Sequence, residues 1–128
     1  GDGHMTVVQT GRNRSADALA STFSYFNIGT GTVTTSISNT GLSSVVQSSY
    51  NFALHTAVSI GNIVTYVGFL NPSQGNIASN ITELGWFDAS TSVAKMLARV
   101  VASTNTFTAF SKTSDKSALI TLDLTVSA

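Results

Sequence analysis

Ile81-Thr82-Glu83-Leu84-Gly85-Trp86-Phe87-Asp88, followed by Lys95-Met96-Leu97-Ala98-Arg99-Val100, is the stretch whose reading decides this fold. Two short apolar runs each carry one charge at a place where a strand should face a core. With a period of two, Ile81, Glu83 and Gly85 share one face, and Leu84 and Trp86 share the other. In the second run Leu97, Arg99 and Val101 lie opposite Ala98 and Val100. A hairpin of the two would bring Glu83 near Arg99. Lys95 and Lys112 are the other candidate partners. An unpaired carboxylate there would cost several kcal/mol. Glu83 is therefore expected to form a structural ion pair or to accept backbone hydrogen bonds that fix a turn.

Outward from this hairpin, β-branched and aromatic residues dominate. Ala118, Ile120, Leu122, Leu124 and Val126 alternate with Leu119, Thr121, Asp123 and Thr125, the clearest strand of all. A second strand is expected over residues 50–60, with Tyr50, Phe52, Leu54, Val58 and Ile60 on one face. Gly61-Asn62 should turn it back into a strand over 63–70. The loop 71–76 holds the only proline, where it breaks no ladder. Further strands are expected over 23–28, 81–87, 93–101 and 107–112, with turns at 88–92, 103–105 and 114–116. Residues 32–37 are polar and fit a strand or an extended loop. Residues 14–21 fit a helix, with Ser15 as a candidate cap, and 42–50 is the second helical candidate. The expected class is all-β with room for one short helix near the N-terminus: an antiparallel β-sandwich of about seven to nine strands.

The chain has 128 residues, room for one domain. Gly1-Asp2-Gly3-His4 reads as a scar of recombinant expression before Met5, so residues 5–128 should form the domain. There is no cysteine, which removes disulfides, zinc-thiolate sites and thiol nucleophiles. Charged residues make up 9% of the chain, against about a quarter in ordinary domains. So few charges cannot support many phosphate contacts, which argues against nucleic acid as a partner. No run approaches the length of a membrane span. Ser and Thr supply more than a quarter of the residues. A hydroxyl-rich, charge-poor surface suits a protein covered in part by copies of itself or by neighbours.

Chemistry is scarce. Beyond the scar, His55 is the one histidine, and it falls in mid-strand with no Gly-x-Ser-x-Gly elbow. Glu83 and Asp88 are five residues apart, roughly 17 Å along a strand, too far for a sugar-cleaving pair. One histidine and scattered acids make no metal cluster. Gly29-Thr30-Gly31-Thr32 lacks the Lys-Ser/Thr ending of a phosphate loop and reads as a turn. No catalytic residue, cofactor or metal site is expected. Arg12 and Arg14 form a small basic pair, candidates for docking contacts.

Ile28 to Thr32, Thr40-Gly41-Leu42, the strand pair over 50–70, Glu83 to Asp88, Leu97-Ala98-Arg99, Lys112 and the alternating strand from Leu119 to Val126 follow one another in an order that resembles small virion proteins of tailed bacteriophages, the tail-collar fibre and capsid decoration (cement) group. Trp86 departs from that pattern, which more often has a smaller aliphatic residue. The chain also ends after the last strand, where fibre proteins continue into a shaft and a receptor-binding tip. The resemblance implies a β-sandwich on the particle surface, made in the host bacterial cytoplasm. It implies symmetric contacts with itself, as a trimer, and with capsid or tail proteins. It brings in no enzyme activity and no membrane partner. The alternative is a host-surface glycan-binding module, in which Trp86, Tyr25, Tyr50 and Tyr66 would stack on sugars.

Overall fold

The computed structural model describes residues 6–91 and 93–127. The expected scar, the start at Met5 and Ser92 of the expected turn lie outside those residues. The fold is mixed α/β: one N-terminal helix and three small antiparallel sheets. The elements are α1 (Gln9–Thr22), β1 (Tyr25–Gly29), β2 (Phe52–Ala53), β3 (Thr56–Ile60), β4 (Ile63–Leu70), β5 (Ile77–Ile81), β6 (Glu83–Phe87), β7 (Met96–Val101), β8 (Phe110–Lys112) and β9 (Ala118–Thr125).

The first sheet runs β2-β1-β6-β7. Its registers place Phe52, Phe26, Trp86 and Ala98 in one row, and Ile28, Leu84 and Val100 in the next. These side chains form one face of the sheet, and most belong to the buried apolar core. The opposite face carries Asn27, Gly85 and Arg99 in one row, and Gly29, Glu83 and Val101 in the next. All five residues of β6 are buried. A strand is buried on both faces only when both are covered. Here the core covers one face and the segment 30–51 covers the other. Glu83 and Arg99 therefore face a covering loop and not the apolar core.

The second sheet runs β3-β4-β9. Gly61 (φ 59°) supplies the left-handed turn that joins β3 to β4, as expected from the Gly-Asn pair. Val64, Tyr66 and Leu70 point inward and are fully buried. Gly68 lies under the Phe26 ring of β1, where a Cβ would come within 2.9 Å of that ring. Helix α1 packs on β3 and β4. The Tyr66 hydroxyl donates to the Leu19 carbonyl at 3.0 Å, and the Ser59 hydroxyl donates to Asp17 Oδ1 at 2.5 Å. The third sheet pairs β5 with β8 and carries a register shift between Ile77 and Ile81.

Several sequence expectations need correction. The helix is 14 residues long and starts five residues before Arg14, so the chain is not all-β. Residues 42–50 are not helical. The N–H groups of Ser43 and Ser44 bind Glu83, and Val46 N donates to the Ile28 carbonyl. Those backbone donors are not free for a helical ladder. The expected strand 50–60 is split between two sheets. Leu54 N donates to Ser24 O, and His55 N to Val67 O, so the chain crosses from the first sheet to the second there. Beyond the crossing Ala57 and Ser59 turn towards α1, while Val58 and Ile60 are 51% and 80% exposed. The 81–87 run is divided too, with Ile81 ending β5 and Glu83 starting β6. Residues 32–37 form an exposed loop. Strand 63–70 and the inward face of the last strand fall where the pattern placed them.

Candidate functional site

Glu83 begins β6 with no exposed surface. Its Oε1 accepts from Ser43 N (2.9 Å) and Arg99 Nε (2.9 Å). Its Oε2 accepts from Gly31 N (2.8 Å) and Ser44 N (2.8 Å). The Ser43 hydroxyl adds longer bonds to both oxygens. Burial pushes the Glu83 carboxyl up. The Ser43 N–H, the Arg99 guanidinium and the N–H groups of Ser44 and Gly31 outweigh it, leaving the group below its ordinary range. This is the third way to shift a carboxyl, by hydrogen bonds to its charged form.

Glycine makes the approach possible. A Cβ on Gly29 would stand 2.5 Å from Glu83 Oε2 and 2.7 Å from the Ser44 carbonyl oxygen. One on Gly31 would overlap the Ser43 hydroxyl and the Glu83 carboxylate. Gly85, beside Glu83 on the same face, leaves room for Leu42.

Arg99 completes the cluster. Its Nη2 donates to the Ser43 hydroxyl (3.2 Å) and its Nη1 to Asn39 Oδ1 (3.3 Å). Its side chain is 2% exposed, so the pair with Glu83 is held away from water. Both readings offered for Glu83 are thus present in one group: an ion pair, and a carboxylate that fixes a turn. Lys112 does not join it. That side chain is buried between β8 and β5, donating to Asn76 Oδ1 (2.7 Å) and the Thr113 carbonyl (3.3 Å). Desolvation lowers its ammonium pKa, and Asp115 partly offsets this. Lys95 is exposed beyond the sheet. Arg12 donates to the Val7 carbonyl (2.9 Å), and Arg14 lies 3.9 Å from Asp17 on the open side of α1.

Sequence reasoning missed a second polar anchor. Asn27, 1% exposed, donates to the carbonyls of Gln47 and Tyr50 and to Asn51 Oδ1. Asn51 in turn donates to the Ala89 carbonyl (3.0 Å). The signal was an amide between Phe26 and Ile28 in mid-strand. A buried amide needs partners, and here a covering loop supplies them. Glu83 with Arg99 and Asn27 with Asn51 pin the two ends of the 30–51 segment to one sheet face.

Chemically this cluster is closed, since both Glu83 oxygens are filled by donors of the same chain. His55 is exposed at the crossing between sheets. Among the described residues no three of His, Cys, Asp and Glu gather as a metal site. A cleft of about 260 Å³ opens beside the second anchor, walled by Gln47, Tyr50, Asn51, Phe87 and Thr91. Tyr50 is 48% exposed there, whereas Trp86 and Tyr66 are interior.

No protein-family model, no curated protein and no solved structure significantly matches this chain.

Proposed function

We propose that this chain is a non-enzymatic structural protein of a bacteriophage particle surface, a capsid decoration protein or a tail-surface component. It acts through symmetric contacts with copies of itself and docks on capsid or tail proteins. Its helix and sheets would work as one sandwich-like body, for which the packing of Phe26 over Gly68 speaks. One observation carries the reading: the buried carboxylate is saturated by the protein's own N–H groups and guanidinium. A catalytic carboxylate must keep an oxygen for substrate or water. This one spends all its capacity on holding a loop.

Electron microscopy of purified particles with an antibody to this chain tests the proposal. Regular labelling of the capsid or tail is expected, and its absence from particles overturns the assignment. Light scattering should give a homo-oligomer, with the trimer the form the resemblance implies. A glycan-binding role has one observation in its favour, the exposed Tyr50 ring beside amide and hydroxyl groups. Glycan-array binding that Tyr50→Ala removes from a folded protein would establish it.

A further inference from the structure

The second sheet has α1 and the core on one side. Among the described residues no helix or strand packs on its other side. Alternation along β3, β4 and β9 brings Val58, Ile60, Ile63, Val67, Phe69 and Leu119 onto this outer face. Ile60 is 80% exposed, Leu119 69%, Val58 51%, Phe69 46% and Ile63 43%. Apolar residues scattered singly on a surface are ordinary, but a contiguous set marks a contact site.

We propose that a second copy of this chain sits on the outer face of the β3-β4-β9 sheet. The inference rests on the self-association in the functional reading and names its surface as a two-fold contact that closes a dimer; a closed trimer found by light scattering would overturn this face. Charge selects the occupant. Among the described residues Asp123 is the one ionisable group on this face, and its Oδ1 accepts the Thr65 hydroxyl at 2.7 Å. No cation is present there to draw an anionic lipid surface or an acidic protein. The whole chain is formally neutral, so two copies approach without net repulsion.

The pattern is also self-complementary. Phe69 pairs with Leu119 at one end of the face, and Ile60 with Ile63 at the other. Thr65 and Val67 lie between. A two-fold axis through that middle seats the aromatic end of one copy on the isoleucine end of the other, which is an isologous contact. Two strands of eight residues and one of five, at about 3.4 Å per residue and about 4.8 Å per strand, give a flat footprint of roughly 340 Å². Side chains standing off the sheet raise its accessible area. Two such faces then approach about 1,000 Å², the lower bound of a specific interface. Sheets meet face to face at about 10 Å in this way.

The chain has no cysteine, so a single introduced thiol reports on one place. Val67→Cys near the axis should give a covalent dimer with a short bis-maleimide, which spans the roughly 10 Å between facing sheets that a disulfide cannot, and Thr104→Cys on the exposed 103–106 turn should not. Ile60→Lys with Leu119→Lys should weaken self-association at least tenfold, with unchanged circular dichroism. Both sites are exposed, so the fold has no reason to fail. An oligomer that survives the double lysine change, with no cross-link through position 67, overturns this face and leaves the functional reading standing. A wild-type chain that stays monomeric at high concentration overturns the self-association itself.

Discussion

Glu83→Gln removes one charge and turns one acceptor oxygen into an NH2 group without changing the shape. Oε1 holds Ser43 N and Arg99 Nε; Oε2 holds Gly31 N and Ser44 N. Whichever way the amide turns, its NH2 faces two donors. Two hydrogen bonds are lost, and each buried unsatisfied donor costs about 1–3 kcal/mol. Arg99 also loses its counter-charge while 2% exposed, and breaking a buried pair from one side costs about 3–5 kcal/mol. These are overlapping descriptions of one loss, so about 3–5 kcal/mol is expected in all. For a domain of this size each kcal/mol moves Tm by roughly 3–5 °C, giving a fall of about 10–25 °C at pH 7.

The sign with pH follows from the direction of the Glu83 shift. Its folded pKa lies below the unfolded value, so its stabilisation is present above about pH 4.3. It is lost as pH falls through the folded pKa. Wild type and Glu83→Gln should therefore converge in acid. Calorimetry from pH 7 to pH 3 measures both effects, and amide exchange at Ser43 and Ser44 should quicken in the variant. An unchanged Tm at pH 7 would refute the staple. A large fall with no change in exchange at those two amides would refute the assignment of the loss to the loop.

Gly31→Ala should destabilise by about 2 kcal/mol or more, since its methyl overlaps the Ser43 hydroxyl and the Glu83 carboxylate; a denaturant midpoint equal to wild type would deny the close approach. Burial raises the Tyr66 phenol to about 12. One phenolate should therefore appear late in an ultraviolet titration and vanish in Tyr66→Phe. Because that pKa is raised on folding, stability holds below about pH 10 and is lost as pH rises towards 12, by up to about 3 kcal/mol. Lys112→Met should leave neutral-pH stability within about 1 kcal/mol or raise it, because a buried ammonium without a carboxylate gains little from its site. Its lowered pKa means the unfolded chain binds the proton more readily. Wild-type stability should therefore climb relative to Lys112→Met as pH rises towards the ordinary lysine range. A loss of several kcal/mol on substitution would show that the bonds to Asn76 and Thr113 matter more than its desolvation.

Where alternation was unbroken, sequence and structure agree. The strand 63–70, its Gly61 turn and the buried side of the last strand all follow from period two and one positive-φ residue. The alternating faces of residues 83–86 and 97–101 were readable as well, which is why Arg99 stood among the candidate partners of Glu83, beside Lys95 and Lys112. The strand over 50–60 misled because its larger residues, Val58 and Ile60, lie on the outer face while Ala57 and Ser59 meet the helix. Size normally marks the buried side; a helix packed closely on a sheet favours small residues and reverses that cue. Residues 42–50 misled for another reason. Their propensity is unremarkable in either direction, and a partner distant in sequence, the carboxylate of Glu83, fixes their conformation. Local reading cannot supply a partner some forty residues away.

The two polar anchors explain why this loop needs so few apolar residues to stay in place. Residues 30–51 are mostly Ser, Thr, Gly and Asn, and they bury too little apolar surface to bind a sheet by hydrophobic contact alone. Their backbone N–H groups would ordinarily be left to water. Glu83 collects three of them, and Asn27 takes two carbonyls of the same segment. A buried ion pair of this kind adds modest net stability over apolar residues of the same volume. What it changes is the cost of every other arrangement. Sliding the loop by one residue takes the Gly31, Ser43 and Ser44 N–H donors from Glu83 and leaves the carboxylate with Arg99 alone in a buried site. The scarcity of charge elsewhere sharpens that effect, since few other groups in the chain can substitute for either partner. The same scarcity leaves Asp123 as the one charge among the described residues of the second sheet's outer face, so self-contact has a single like-charge pair to accommodate. One compositional fact thus fixes the loop inside the molecule and leaves the opposite sheet open outside it.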